Sequence, residues 1–389
     1  MSDFPADGIK VLVVDDSAFM RRIVSDILSS EESITVAGTA KNGLEALQKV
    51  KILKPDVITL DVEMPVMDGL TCLKELLSSQ YIPVVMVSKL TQEGAEDTIR
   101  ALEYGAVDFI TKPANIFDIS DKVKMQEIVE KVKIAKNTTN NLDYKKQEIK
   151  NGIHFKTKSD IVKSNNLKHI VAIGSSTGGP KALQDVIPYI PGDVPAAFLI
   201  VQHMPAGFTK SLADRMDILS ELTVKEAEDN EEVKPGFAYF APGDFHMEVQ
   251  SGSDKGLKIR ITDAPPVSGL RPSINVLLNS LLNTGFNNVT CVIMTGMGRD
   301  GSEGITEIKR KTNGHIIAQD EKSCVVFGMP RAAIQTGVVD EVVSLNEISN
   351  VILKSFGWED KASAKKIKSF SKKKKGFIFK KIKSFCKED

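Results

Sequence analysis

Three residue types with complementary proton chemistry stand just beyond apolar runs in the second half of the chain. Ile170-Val-Ala-Ile173 leads into Gly174-Ser-Ser-Thr-Gly-Gly179. Ala197–Val201 ends in Gln202-His203-Met204-Pro205, and Asn288–Met294 ends in Thr295-Gly-Met-Gly-Arg-Asp-Gly301. A serine hydroxyl is a poor nucleophile until a neighbouring base takes its proton, and that base needs an acid to orient it. Ser176, His203 and Asp300 supply one of each. If the runs are parallel strands, their carboxyl ends share one edge of a sheet, and the three can meet there.

The glycine loop has two other readings. It could cradle a phosphate at a helix N-terminus, but it is not G-x-G-x-x-G and no G-K-[ST] follows. Gly174–Gly178 also matches the G-x-S-x-G elbow of α/β-hydrolases. That fold orders its triad Ser, acid, His, whereas this chain runs Ser, His, acid. The preferred reading is a serine hydrolase on a doubly wound sheet with its own triad order. The N–H of Thr177, expected at the start of the following helix, suits an oxyanion donor. No metal is needed for such a step.

A second constellation lies in the first 136 residues. The apolar run Ile9–Val14 ends in Asp15-Asp16, Val57–Leu60 ends in Asp61, Pro83–Val87 ends in Ser88, and Ala106–Ile110 leads into Thr111-Lys112-Pro113. Carboxylates gathered on one edge repel one another unless a cation lies among them, and hard oxygen ligands with open positions favour Mg²⁺. A lysine nearby would neutralise a transferred anion. Between these runs lie amphipathic stretches of helical period. Ala18–Leu28, with Phe19, Ile23 and Ile27 spaced four apart, is the clearest. Strand and helix in alternation imply a parallel sheet covered on both faces.

The first constellation, with Asp61-Val-Glu-Met-Pro-Val-Met-Asp-Gly69, resembles the receiver domain of bacterial response regulators. The resemblance implies a flavodoxin-like doubly wound fold, with Asp61 as phospho-acceptor and Asp15, Asp16 and Asp61 as Mg²⁺ ligands. Ser88 and Lys112 would be switch residues. Tyr104 stands where the family places an aromatic that reorients on phosphorylation; a surface-packing tyrosine is the alternative. The later blocks GSSTGG, QHMPAGFT, APGDFHME, TGMGRDG and AQDEKSCVVFGMPRAA resemble the chemotaxis protein-glutamate methylesterases, the CheB family, in its block order.

That resemblance implies a doubly wound parallel-sheet esterase. It would remove methyl groups from glutamate esters on chemotaxis receptors and deamidate receptor glutamines, with a histidine kinase as phosphodonor. It also places the backbone near Met297 at the active site, as oxyanion support. The family usually has Ala where this chain has Ser175, and Ser175→Ala is expected to be nearly silent. A non-catalytic binding output domain, or a hydrolase of another acyl substrate, are the alternatives.

His246 reads as a loop histidine capping a strand, or as a second base or substrate contact. His315, in Asn313-Gly-His, reads as an exposed turn residue. Cys324 reads as a small core hydrophobe, and Ala264–Pro272 as a rigid substrate-facing rim or a plain connector.

The 389 residues suggest two to three domains. The expected division is a receiver over 1–136, a polar linker over 137–167, a catalytic domain over 168–355 and a Lys-rich tail over 356–389. With 42% hydrophobic and 26% charged residues the mix is that of a globular chain. Four cysteines, none in C-x-x-C spacing, fit a reduced interior, and the N-terminus has no secretory pattern, so a cytoplasmic location is expected. Residues 361–389 carry twelve lysines against Glu388 and Asp389, and the motif Lys365-Lys-Ile-Lys-Ser-Phe370 recurs as Lys380–Phe385. Lysines interleaved with aromatics suit an anionic membrane surface. The tail has no arginine for bidentate contacts, so nucleic acid is not expected as a partner.

Overall fold

A computed structural model describes residues 8–79, 81–112, 122–138, 166–252 and 256–358. Most of the expected linker, Pro113 and the lysine repeats lie outside the described residues. Contacts group the chain into one body through Ser349 and a separate C-terminal stretch from Asn350.

The first sheet is built from β1 (Ile9–Val14), β2 (Ile34–Ala40), β3 (Val57–Asp61), β4 (Val84–Ser88) and β5 (Asp108–Thr111). Their order is β2-β1-β3-β4-β5, all parallel. Among the described residues five helices accompany them: α1 (Ala18–Ser29), α2 (Gly43–Leu53), α3 (Gly69–Ser79), α4 (Gln92–Tyr104) and α5 (Lys122–Asn137). The central strands β3 and β4 are buried along their whole length, as expected of strands covered on both faces.

Two expectations shift here. The buried face of α1 is Met20, Val24, Ile27 and Leu28, while Phe19 is 58% exposed. Of the expected stripe, Ile27 is buried and Ile23 packs partly buried against the same core, and only Phe19 falls outside the buried face. The last strand begins at Asp108, not Ala106. Gly105, in the left-handed conformation, closes α4, and the N–H groups of Gly105 and Ala106 both return to Ala101 O, so Ala106 still belongs to the helix end.

The second sheet has seven parallel strands: β6 (His169–Ser175), β7 (Ala196–Gln202), β8 (Thr223–Glu226), β9 (Phe237–Phe240), β12 (Val289–Ile293), β13 (His315–Gln319) and β14 (Glu341–Val343). Their order is β14-β13-β12-β6-β7-β9-β8. An antiparallel hairpin of β10 (His246–Ser251) and β11 (Leu257–Thr262) stands beside it. The helices are α6 (Gly179–Gln184), α7 (Phe208–Leu219), α8 (Ile274–Leu282), α9 (Ser302–Lys311) and α10 (Met329–Gln335), with Ile348–Ser355 as the last. One apolar core joins β6, β7, β12 and β13 to α8 and α9 through Ile170, Leu199, Cys291, Leu277, Ile305 and Ile316. The first strand of this sheet, β6, lies between β7 and β12. The direction of winding reverses there, and a doubly wound sheet places its binding crevice at the carboxyl ends of such a reversal.

Candidate active site

Register brings the candidate nucleophile, Ser176, and the candidate base, His203, together. Ser175 pairs with Gln202 at the last step of the β6–β7 ladder, so Ser176 and His203 are the next residues on adjacent strands. The His203 N–H donates to Ser175 O at 3.1 Å. Ser176 is half-buried; its N–H donates to Thr295 O at 3.0 Å, beyond β12. Ser175 is fully buried and its hydroxyl donates to Gln202 Oε1 at 2.7 Å, so it is not free to attack a substrate. A side-chain carbon at Gly296 would lie 2.7 Å from Ser176 Cβ, so only glycine lets the β12 turn approach Ser176 this closely.

Asp300 Oδ2 lies 2.9 Å from His203 Nε2. A carboxylate only accepts, so Nε2 carries the proton, and Nδ1 is the nitrogen with a lone pair to offer. The acid is itself held from several sides. Ser273 Oγ donates to Oδ1 at 2.9 Å, and the N–H groups of Ile274, Asn275 and Gly301 donate at 2.7, 3.1 and 3.0 Å. Asp300 thus caps α8 from another part of the chain, where the helix dipole favours a negative charge. Burial pushes its carboxyl up, but His203 and the Ile274 and Asn275 N–H groups outweigh that and hold it below the ordinary carboxylate range.

The other edge gathers as expected. Carboxylate oxygens of Asp15, Asp16 and Asp61 lie within 4.8 Å of one another. Lys112 Nζ reaches Asp61 Oδ2 at 2.7 Å and Asp15 Oδ2 at 2.8 Å. Burial raises the Asp61 carboxyl to about 6, with Lys112 pulling it down and Asp15 pushing it up. Ser88 is buried on β4 and donates to Gly94 O at 3.0 Å. Tyr104 is 37% exposed, with Lys74 Nζ 4.3 Å above its ring; Arg100 and Lys74 hold its phenol below the usual range. Val66, on the loop after Asp61, is 79% exposed at φ 70°.

Other expectations change. Helix α6 starts at Gly179 after its cap Gly178, so Thr177 precedes the helix, not its first turn. Met294 is core, and Met297 is 37% exposed on the turn beside Ser176. His246 is the first residue of β10, fully buried, with Nε2 3.2 Å from Pro265 O. His315 opens β13 and is only partly exposed, because Glu341 at the start of β14 reaches its Nε2 at 3.0 Å. Cys324 is buried, as read.

The CheB methylesterase family matches residues 171–352, and the response regulator receiver domain matches residues 11–124. The protein-glutamate methylesterase/protein-glutamine glutaminase 1 of Syntrophomonas wolfei is 46% identical over 347 residues, 88% of this chain and 98% of that one. The chain belongs to the CheB methylesterase family. The protein-glutamate methylesterase/protein-glutamine glutaminase of Halalkalibacterium halodurans is 47% identical over 89% of this chain and 98% of its own. The solved CheB methylesterase catalytic domain of Thermotoga maritima is 45% identical, covering 48% of this chain and 97% of its own, with a TM-score of 0.46.

In this CheB-family chain the receiver and the esterase touch beside Ser176. Phe109 on β5 stacks on Phe208 at the start of α7, ring centroids 4.6 Å apart. Glu103 on α4 takes a two-pronged contact from Arg215 on α7 and a hydrogen bond from Gln184 on α6 at 3.2 Å. Asp108 is buried, and burial holds its carboxyl above the ordinary range; Lys131 and Thr177, the residue after Ser176, act against that. Sequence reasoning missed these contacts, and it missed Gln202 and Ser273. Only Ser273 carried a signal: a serine after Pro272 and before an apolar helical run is an N-cap pattern. Here the serine serves Asp300 rather than its own helix.

Proposed function

We propose that this chain hydrolyses glutamate γ-methyl esters on chemotaxis receptors, and deamidates receptor glutamines, under control of phosphorylation at Asp61. The observation that carries the reading is the His203–Asp300 contact at 2.9 Å, set one ladder step from Ser176.

Ser176 Oγ attacks the ester carbonyl as His203 Nδ1 takes its proton. His203 returns that proton to the departing methoxide, giving methanol. The same nitrogen then deprotonates water, which attacks the acyl-enzyme and releases glutamate and free Ser176. An amide follows the same route with ammonia as the leaving group. Asp300 keeps Nε2 protonated and steadies the imidazolium. The N–H of Thr177 and the backbone at Met297 serve as oxyanion support, each donor of this kind being worth ~2.7–4 kcal/mol.

The receiver occupies 1–136, a linker 137–167, the catalytic domain 168–355 and the tail 356–389. Asp15, Asp16 and Asp61 would hold Mg²⁺; three converging carboxylates, two of them buried, fit a small hard cation. When bound, that ion neutralises the phosphoryl group arriving from a histidine kinase. Lys112 stands ready to pair with the same group, and Ser88 and Tyr104 register the change. In the unphosphorylated state the contacts of Phe109, Glu103 and Asp108 hold the receiver beside Ser176.

Among the described residues no helix is long and apolar enough to cross a membrane. The enzyme works in the cytoplasm, and its lysine repeats bring it to the anionic membrane surface beside the receptors.

The test is methanol release from methylated receptor, with and without a phosphodonor and Mg²⁺. Ser176→Ala should release none while still accepting phosphate at Asp61. Methanol release by that variant would overturn the assignment of the nucleophile.

A further inference from the structure

The buried Ser175 hydroxyl has a partner. Gln202 Oε1 accepts it at 2.7 Å, while Gln202 Nε2 donates to Ser176 O at 2.9 Å and to His203 O at 3.3 Å. Both side chains are buried. Two backbone carbonyls can only accept, so they fix which end of the amide is NH₂. The oxygen end therefore faces Ser175, and the Ser175 hydroxyl must donate. A side-chain carbon at Gly179 would lie 2.0 Å from Gln202 Oε1 and 2.8 Å from Ser175 Cβ, so the amide is seated against bare backbone at the start of α6.

We propose that Ser175 is a positioning residue, which acts through Gln202 to hold the Ser176 turn and the His203 turn as one unit. The proposal rests on the reading of Ser176 and His203 as nucleophile and base. Gln202 spans both strand ends with two donors. Ser175 supplies the one donor that satisfies the amide oxygen and holds the amide in the orientation the carbonyls need. Alanine at 175 would leave a buried acceptor unpaired, which a fully buried site penalises. The amide cannot compensate by turning over, because its oxygen would then face two carbonyl oxygens. The expectation that Ser175→Ala is nearly silent is therefore withdrawn.

The test uses full-length phosphorylated protein and methanol release from methylated receptor, read as kcat and KM separately. Ser175→Ala should lower kcat about tenfold, with KM within about twofold, while a melting curve shows the protein folded. Gln202→Met should lower kcat about a hundredfold. The double variant should be no slower than Gln202→Met alone, because Ser175 acts only through that amide. A role confined to stability would shift the melting curve and leave kcat unchanged below the transition. Wild-type kcat in Ser175→Ala, or losses that multiply in the double variant, would overturn the proposal. Should Gln202→Met not fold, Ser175→Ala decides alone. Ser176→Ala separates the two ideas: activity in that variant would sink the nucleophile assignment itself, whereas an inactive Ser176→Ala beside a fully active Ser175→Ala would sink only the role of Ser175.

Discussion

Glu103 of the receiver and Arg215 of the esterase meet fork to fork, Nε to Oε1 at 2.5 Å and Nη2 to Oε2 at 3.0 Å. This geometry is more specific than a lysine contact, because both partners are planar and two bonds form at once. Reversing either charge should loosen the closed arrangement. Glu103→Arg and Arg215→Glu should each raise methanol release by the unphosphorylated protein by about 3- to 10-fold, from the ~1 kcal/mol typical of a partly exposed pair. Combining them should restore the low basal rate. A double variant as active as the singles would show that the pair is not part of the restraint.

The Phe109–Phe208 stack adds an apolar element to the same boundary. Aromatic pairs contribute ~0.5–1.5 kcal/mol beyond the area they bury. A fragment beginning near residue 160 should therefore exceed the unphosphorylated full chain in methanol release. Asp61→Asn should stay at the low basal rate whether or not phosphodonor is present. Equal rates for fragment and full chain would remove the receiver as a restraint.

Asp300 gives a pH signature. Its carboxyl is held below the ordinary range in the folded protein, so the folded state gains stability from the ionised form above the unfolded carboxylate value of ~3.9, and loses it as pH falls through the lower folded value. Asp300→Asn should melt below wild type at neutral pH, with the gap narrowing only in strong acid. Its kcat should fall by several orders of magnitude at every pH. A gap already closed at pH 6 would contradict the depressed value.

Ser273→Ala removes one of the donors on Asp300 and leaves the three N–H groups. A hydrogen bond to a charged group contributes ~1.5–3 kcal/mol. The variant should lose about 10-fold or more in kcat with little change in KM. A pure KM effect would mean that Ser273 meets substrate instead.

Val66 combines a β-branched side chain with φ 70°, a pairing that costs ~1–3 kcal/mol. Asn tolerates that region, and the position is exposed. Val66→Asn should raise the melting temperature of the receiver by a few degrees. A lower melting temperature would mean that the Val66 side chain makes contacts worth more than the strain.

The strands and the three candidate catalytic residue types were legible because buried parallel strands write continuous apolar runs, and the candidate residues stand where those runs stop. Ser176, His203 and Asp300 fall on one edge for that reason alone. Gln202 was not legible: a glutamine at a strand end reads as a polar boundary, and only the register shows that it faces Ser175. Glu103, Phe109, Phe208 and Arg215 were equally hidden, since each carries an ordinary pattern for its own helix or strand. Their meaning depends on contacts across 99 to 112 residues, which no local period records. Phe19 misled for the opposite reason: it continues the Ile23 and Ile27 spacing by one turn, but at the start of α1 the core-facing residue is Met20.

The seat of the Gln202 amide carries a consequence for how this sequence can drift. Position 179 is confined to glycine first by an oxygen belonging to position 202 and then by the side chain at position 175. A lineage that shortened residue 202 would relieve the closest of those contacts but still leave the Ser175 Cβ 2.8 Å away, and one that first acquired a side chain at 179 would have to abandon the long amide. The two positions, 23 residues apart in the chain, should therefore mutate in concert, with residue 175 following them as a third party whose hydroxyl has value only while the amide persists.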